Sequence, residues 1–468
     1  MTTDERALPL DLDPSAIARL GRHAVDFLAD WVRELDSAPA SDYEQAERLT
    51  TALRRPPGDG PGDFGALLEL FREAAAQGVD TAGPGYLAYF PAGGLVTAAL
   101  AELLAQTVNR FTGVAQVAPA LVAMEHGVLT WFCDRFGLPP GAGGLVTTGG
   151  SVGTLSALLA ARQALGDATL GGGTIYVTEH THYCVAKAAR IAGLPAERIR
   201  TVPATADLRM DVPSAAAMIA ADRAAGLRPF LLVGTAGTTS SGTVDPLPEL
   251  GELARREGLW FHVDAAYGGG FQLTERGRAR LAGIEMADSI VLDPHKSLFL
   301  PYGTGLLLVR DPHVLHAAHA ADGRYLQDLS PMGDLPDFGH LGVELTREFR
   351  GLRLWLPLHL HGVRAFEREL DEKLDLTADL HRRLAQDPRF ELPWQPDLTV
   401  VLFRLRGTDE RNRRFLAEIN ATRRVYLSST TIDGRFYLRL CVLSFRTHAD
   451  RVEEALGIIR TAASREVR

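Results

Sequence analysis

Asp293-Pro294-His295-Lys296 follows the apolar run Ile290-Val291-Leu292. A strand that ends on such a segment carries an amine to the edge of a sheet, where the ligands of α/β proteins bind. Once desolvated, a lysine there sheds its proton and condenses with a carbonyl, so Lys296 is a candidate for Schiff-base chemistry with an aldehyde cofactor. Other polar segments also end strand-like runs. Thr147-Thr148-Gly149-Gly150-Ser151 leads into a helix. Its free N–H groups and the Ser151 hydroxyl make either an anion site or a glycine-rich turn capped by Ser151. It matches neither a GxGxxG fingerprint nor a Walker loop with its lysine, so a phosphate without a nucleotide fits it better.

In His262-Val263-Asp264-Ala265-Ala266-Tyr267-Gly268, Asp264 closes an apolar strand. A carboxylate buried there is costly unless paired. A protonated pyridine nitrogen would be a suitable partner, and capping of the next turn is the alternative. Ala266 is small enough to let a flat ring lie against the backbone. Thr178-Glu179-His180-Thr181-His182-Tyr183 offers a histidine to stack on that ring. His180 and His182 as a metal pair lack a third ligand at useful spacing, so no metal is expected. Gly237 to Gly242 is either a plain loop or a source of hydroxyls for a ring substituent. Four strand-end motifs and a lysine converge on pyridoxal 5'-phosphate (PLP).

Repeated strand–helix alternation positions these residues. Strand-like runs at 144–148, 174–178, 229–234, 259–263, 289–292 and 304–309 alternate with helical ones such as 152–164 and 185–192, and the last run reads as a hairpin-like return. That pattern predicts an α/β fold, a mostly parallel sheet with helices on both faces. Residues 15–37 and 66–76 read as helices with no strand partners, which points to a partner subunit. Beyond Pro336, long helices over 352–384, strands at 398–405 and 436–443 and a helix over 449–462 predict a small α+β domain. The expected division is 1–92, 93–350 and 351–468.

The 468 residues are 46% hydrophobic and 23% charged, an ordinary soluble composition. A net charge of −9 without a basic stripe argues against nucleic-acid binding. Three widely spaced cysteines make neither a disulfide framework nor a zinc cluster. The acidic start has no signal-like apolar run and no segment suits a bilayer, so no membrane role and a cytoplasmic location are expected.

GYLAYFP, the GGS loop, THYCVA, HVDAAYGG and DPHK, in this order and spacing, resemble the group II PLP-dependent amino-acid decarboxylases, most of all the aromatic-L-amino-acid branch. The resemblance covers nearly the whole chain. It implies fold type I, with a seven-stranded central sheet and a homodimer whose active sites draw on both subunits. By residue, it implies Lys296 as the cofactor-binding lysine, Asp264 at the pyridine nitrogen and His182 stacked on the ring. Gly150, Ser151 and His295 would hold the phosphate, with Ala266 beneath the ring and Thr239 beside the cofactor. Tyr89, Phe90, Pro91 and Ala92, with Phe111 and Gly113 as a second wall, would line a pocket for an aromatic or large apolar side chain. The implied reaction is decarboxylation of an L-amino acid to the amine and CO2.

One position departs from the family. A gap-free alignment puts Phe338 where the family's mobile loop carries a tyrosine that protonates Cα, and phenylalanine has no acidic proton. In plant members with this change the product is an aldehyde, formed with O2 uptake and H2O2 release. His340, Tyr325 or water are the alternative donors.

Overall fold

The computed structural model describes residues 8–164, 166, 172–320, 328 and 330–466. A seven-stranded sheet forms the centre: β1 (Gly143–Thr147), β2 (Gly173–Thr178), β3 (Ile199–Val202), β4 (Arg228–Thr235), β5 (Trp260–Asp264), β6 (Ser289–Leu292) and β7 (Gly305–Val309). Their order across the sheet is β1-β7-β6-β5-β4-β2-β3. β7 runs antiparallel to both neighbours and the other pairings are parallel, as the hairpin-like return predicts. Every residue of β1, β2, β5, β6 and β7 is buried, as expected of strands covered on both faces. β3 is a short edge strand outside the predicted strand-like runs.

Register brings the strand ends level. Thr235 of β4 pairs with Asp264 of β5, and Asp264 pairs with Val291 of β6. Two residues past Val291 the chain turns into the short helix Pro294–Ser297, which carries Lys296. Thr147, the last residue of β1, pairs with Gly305 at the start of β7. A Cβ on Gly305 would stand 2.6 Å from the Gly149 Cα, so only glycine lets the turn after β1 fold down over the sheet edge.

The amino-terminal helix spans Pro14–Glu34, where Asp13 accepts from the Ser15 and Ala16 N–H groups at 2.7 and 2.9 Å and Pro14 starts the first turn. Helices Ala46–Leu53 and Phe64–Ala75 follow. The segment is not wholly without strands, because Ser41–Asp42 pairs with Gly78–Val79. Near the other end the predicted 352–384 helix is two helices, Leu352–His361 and Val363–Ala385, broken at Gly362 with φ 72°. A four-stranded antiparallel sheet follows: β8 (Phe390–Glu391), β9 (Val400–Leu405), β10 (Ser428–Ile432) and β11 (Arg435–Cys441), in the order β8-β9-β11-β10. Its apolar face packs on the last helix, Ala449–Glu466, through Val452, Leu456 and Ile459. None of the described helices is long and apolar enough to cross a membrane.

Candidate active site

The carboxyl ends of the parallel strands enclose a cavity of about 310 Å³, within the usual size range of small-molecule sites. Lys296, His182, Asp264, Gly150, Ser151, Thr239, Ala266, His295 and Phe90 all line it. The chain therefore gathers in one place all the expected cofactor-side residues and one residue of the expected substrate wall.

Lys296 lies one helical turn after Asp293, and this spacing brings its Nζ within 2.9 Å of Asp293 Oδ2. The other oxygen, Oδ1, accepts the Gly150 N–H at 2.6 Å. The Gly150 N–H, at the amino terminus of the helix Gly150–Ala164, is thus held by Asp293, and Ser151 follows it in the first turn. Asp293 is not among the residues expected from the sequence, although its place three residues before Lys296 is a signal of its role. On the other side of Asp293, His295 Nε2 stands 3.7 Å from Oδ2 and its Nδ1 is 2.7 Å from the Thr304 carbonyl. Burial lowers the His295 pKa, and the Asp293 charge works against that shift.

Asp264 ends β5 with 5% exposure and accepts the Ala266 N–H at 3.0 Å. Burial also lowers the pKa of His182, against the pull of Asp264, and so favours the neutral ring. Its Nδ1 accepts the Cys184 N–H at 3.3 Å, which leaves the hydrogen on Nε2. A neutral, flat ring is suited to stacking. The nearby Cys184 thiol is pushed up to about 12 by burial and stays protonated.

The apolar wall is Phe90 stacked on Tyr267, ring centroids 4.1 Å apart. Tyr267 is fixed from behind: its hydroxyl is 2.6 Å from Thr399 Oγ1 and accepts the Thr399 N–H at 2.8 Å. Lys296 Nζ lies 5.5 Å from the Phe90 centroid. Tyr267, Thr235 and Gly149 line the cavity but were not picked out from the sequence as site residues.

Several expected residues lie elsewhere. Tyr89 is exposed and has φ 48°, while Pro91 and Ala92 are buried beside Phe90 without lining the cavity. Phe111 and Gly113 belong to a segment that meets the 338–348 stretch: Gly113 accepts the Gly339 N–H at 2.8 Å. Phe338 is 1% exposed, with the Arg347 guanidinium carbon 4.8 Å from its ring centroid. His340 faces His316, centroids 5.6 Å apart. Neither Phe338 nor His340 lines the Lys296 cavity. Tyr325 is outside the described residues.

The residues present suit PLP. Lys296 offers an amine to an aldehyde, and Asp264 offers an anion to a pyridinium nitrogen. The Thr235 hydroxyl is buried at the cavity without a hydrogen-bond partner among the described residues, a polar group that a polar cofactor would satisfy.

Comparison with known proteins agrees. Residues 58–406 match the family model described as the pyridoxal-dependent decarboxylase conserved domain. An aromatic-L-amino-acid decarboxylase of Bacillus atrophaeus is 31% identical, with 97% of each chain covered. A phenylacetaldehyde synthase of Arabidopsis thaliana is 30% identical, again over 97% of each. Among solved structures, Oryza sativa TDC with PLP and tryptamine superposes with a TM-score of 0.93 at 29% identity, covering 99% of this chain and 100% of that one. With this sheet, this lysine and these relatives, the chain belongs to the pyridoxal-dependent decarboxylase family, as a PLP-dependent carboxy-lyase of fold type I.

Proposed function

We propose that the protein removes the α-carboxylate of an aromatic L-amino acid and releases the amine. The observation that carries this reading is the Phe90–Tyr267 stack, an aromatic wall set 5.5 Å from the Lys296 amine. When bound, PLP supplies the electron sink for the pair left on Cα as CO2 departs. The chain's part is placement. Lys296 would tether the cofactor, Asp264 would pair with its ring nitrogen and His182 would cover its face. Ser151, His295 and the Gly149–Gly150 turn would hold its phosphate, with Ala266 leaving room beneath the ring and Thr239 flanking it. Phe90 and Tyr267 orient the substrate side chain and exclude water.

Proton delivery to Cα is assigned to Tyr325, the alternative named from sequence that carries an acidic hydroxyl. The second reading is oxidative decarboxylation–deamination to an aldehyde, supported by the likeness to the phenylacetaldehyde synthase. One experiment separates them. L-Tryptophan, L-tyrosine and L-phenylalanine are incubated with the holoenzyme under air while CO2, O2, H2O2, amine and aldehyde are measured. Amine without O2 uptake is expected, and Tyr325→Phe should shift the product toward aldehyde and peroxide. Stoichiometric peroxide from the unaltered enzyme would establish the second reading.

We further propose a homodimer with shared active sites, to which Phe111 and Gly113 contribute from the other subunit. Its support is the apolar surface left open on the amino-terminal helices: Ile17, Val25, Leu28 and Val32 on one, Leu67 and Phe71 on another. Sedimentation velocity should give twice the 50.7 kDa chain mass, and a monomer at micromolar concentration would refute it. The three buried free thiols fit a reducing, cytoplasmic location, which cell fractionation checks.

A further inference from the structure

Arg439, on β11 of the four-stranded sheet, is 3% exposed. No carboxylate lies within ion-pair distance of it among the described residues. Its Nε donates to the Thr239 carbonyl at 2.9 Å and its Nη1 to the Tyr89 carbonyl at 2.6 Å. Nη2 has no partner. The guanidinium carbon stands 4.7 Å from the centroid of Phe90, the ring that also faces Lys296.

A cation buried without a counter-ion is expensive, and an apolar side chain of similar volume would fill the space at less cost. Stability alone therefore gives no reason for an arginine here. Its geometry does. The planar fork reaches two carbonyls on two separate segments, and each segment delivers a cavity residue: Thr239 itself, and Phe90 next to Tyr89. The Tyr89 bond also holds a residue whose φ of 48° is left-handed, a conformation that a bulky side chain keeps only when its surroundings enforce it. Releasing the Tyr89 carbonyl would free the backbone that aims Phe90.

We propose that Arg439 is a positioning residue for the reaction, fixing the Phe90 ring over Lys296 and the Thr239 loop beside the cofactor. It rests on the reading of Phe90 as the substrate wall. Arg439 does not line the cavity and acts through these two segments.

The test is a double-mutant cycle on the holoenzyme with Arg439→Met and Phe90→Ala. Its readouts are kcat and KM for L-tryptophan, L-tyrosine and L-phenylalanine, and the induced circular dichroism of bound PLP. Arg439→Met should lower kcat/KM about tenfold or more in the unaltered background, and by a clearly smaller factor when Phe90 is already alanine, the remainder being the part carried by Thr239. It should also change the induced dichroism, because Thr239 is released. A purely structural arginine would give the same loss in both backgrounds, and that result overturns the proposal, as does an unchanged kcat/KM. If the unaltered enzyme turns over none of these amino acids, the substrate reading has failed. The dichroism then decides, and an unchanged band overturns the role of Arg439. Should Arg439→Met not fold, Arg439→Lys is held to the same criteria, since a lysine keeps the charge but cannot span both carbonyls with a rigid fork.

Discussion

Phe338 is held as a core side chain is held: inward, with the Arg347 guanidinium 4.8 Å from its ring centroid and almost none of its surface exposed. A hydroxyl added to that ring has to displace packed neighbours, at a cost of about 1–3 kcal/mol. Phe338→Tyr is thus expected to lower the urea midpoint while the amine-to-aldehyde ratio stays as it was. A shift of that ratio toward amine would show that position 338 controls protonation after all. The residues legible in the sequence were those whose chemistry is local. Lys296, Asp264, His182 and Ser151 each end or follow a strand, so strand periodicity placed them at the sheet edge. Arg439 was not legible, since its two acceptors lie 200 and 350 residues away along the chain. Nothing near it in sequence signals that its charge is buried.

Among the elements, the stretch from Phe338 to Gly351 is tied to the sheet by a buried ion pair. Arg347 and Glu125 are 1% and 0% exposed and 2.6 Å apart. Glu125 also accepts the Gly351 N–H at 3.1 Å, and Arg347 donates to the Val146 carbonyl in β1 at 3.2 Å. Glu125→Ala strands a buried cation and is expected to cost about 3–5 kcal/mol of unfolding free energy. Arg347→Met added to Glu125→Ala should recover part of it. A loss below about 1 kcal/mol would mean that the arginine finds water or another acceptor. Glu125 sits in the helix Pro119–Arg135, which with Val96–Val108 went unread in the sequence. In a helix apolar on nearly every side, the stripe that reveals helical periodicity is absent. The amphipathic helices Pro14–Glu34 and Val363–Ala385 were legible for the opposite reason. The break at Gly362 was missed because the apolar pattern continues past it.

At the scale of the whole molecule, two buried groups give stability opposite dependences on pH. Burial depresses the His262 pKa from 6.5 to about 4. The unfolded chain then binds the extra proton, so stability falls as pH drops from 6.5 to 4. Burial raises the Asp245 pKa from 3.8 to about 6, so its contribution falls as pH rises through that interval. His262→Gln removes the first effect alone. Relative to the unaltered protein, the variant should gain about 3 kcal/mol between pH 6.5 and 4, read from urea unfolding at each pH. Parallel pH profiles for the two proteins would refute the assignment. The level row Thr235, Asp264 and Val291 has a different consequence, for how such a chain can change over generations. Losing or gaining one residue within β4, β5 or β6 turns every later side chain of that strand to the opposite face. Lineages of this protein should therefore vary in length between strands and hold strand lengths constant, since the sheet measures out the spacing on which its chemistry depends.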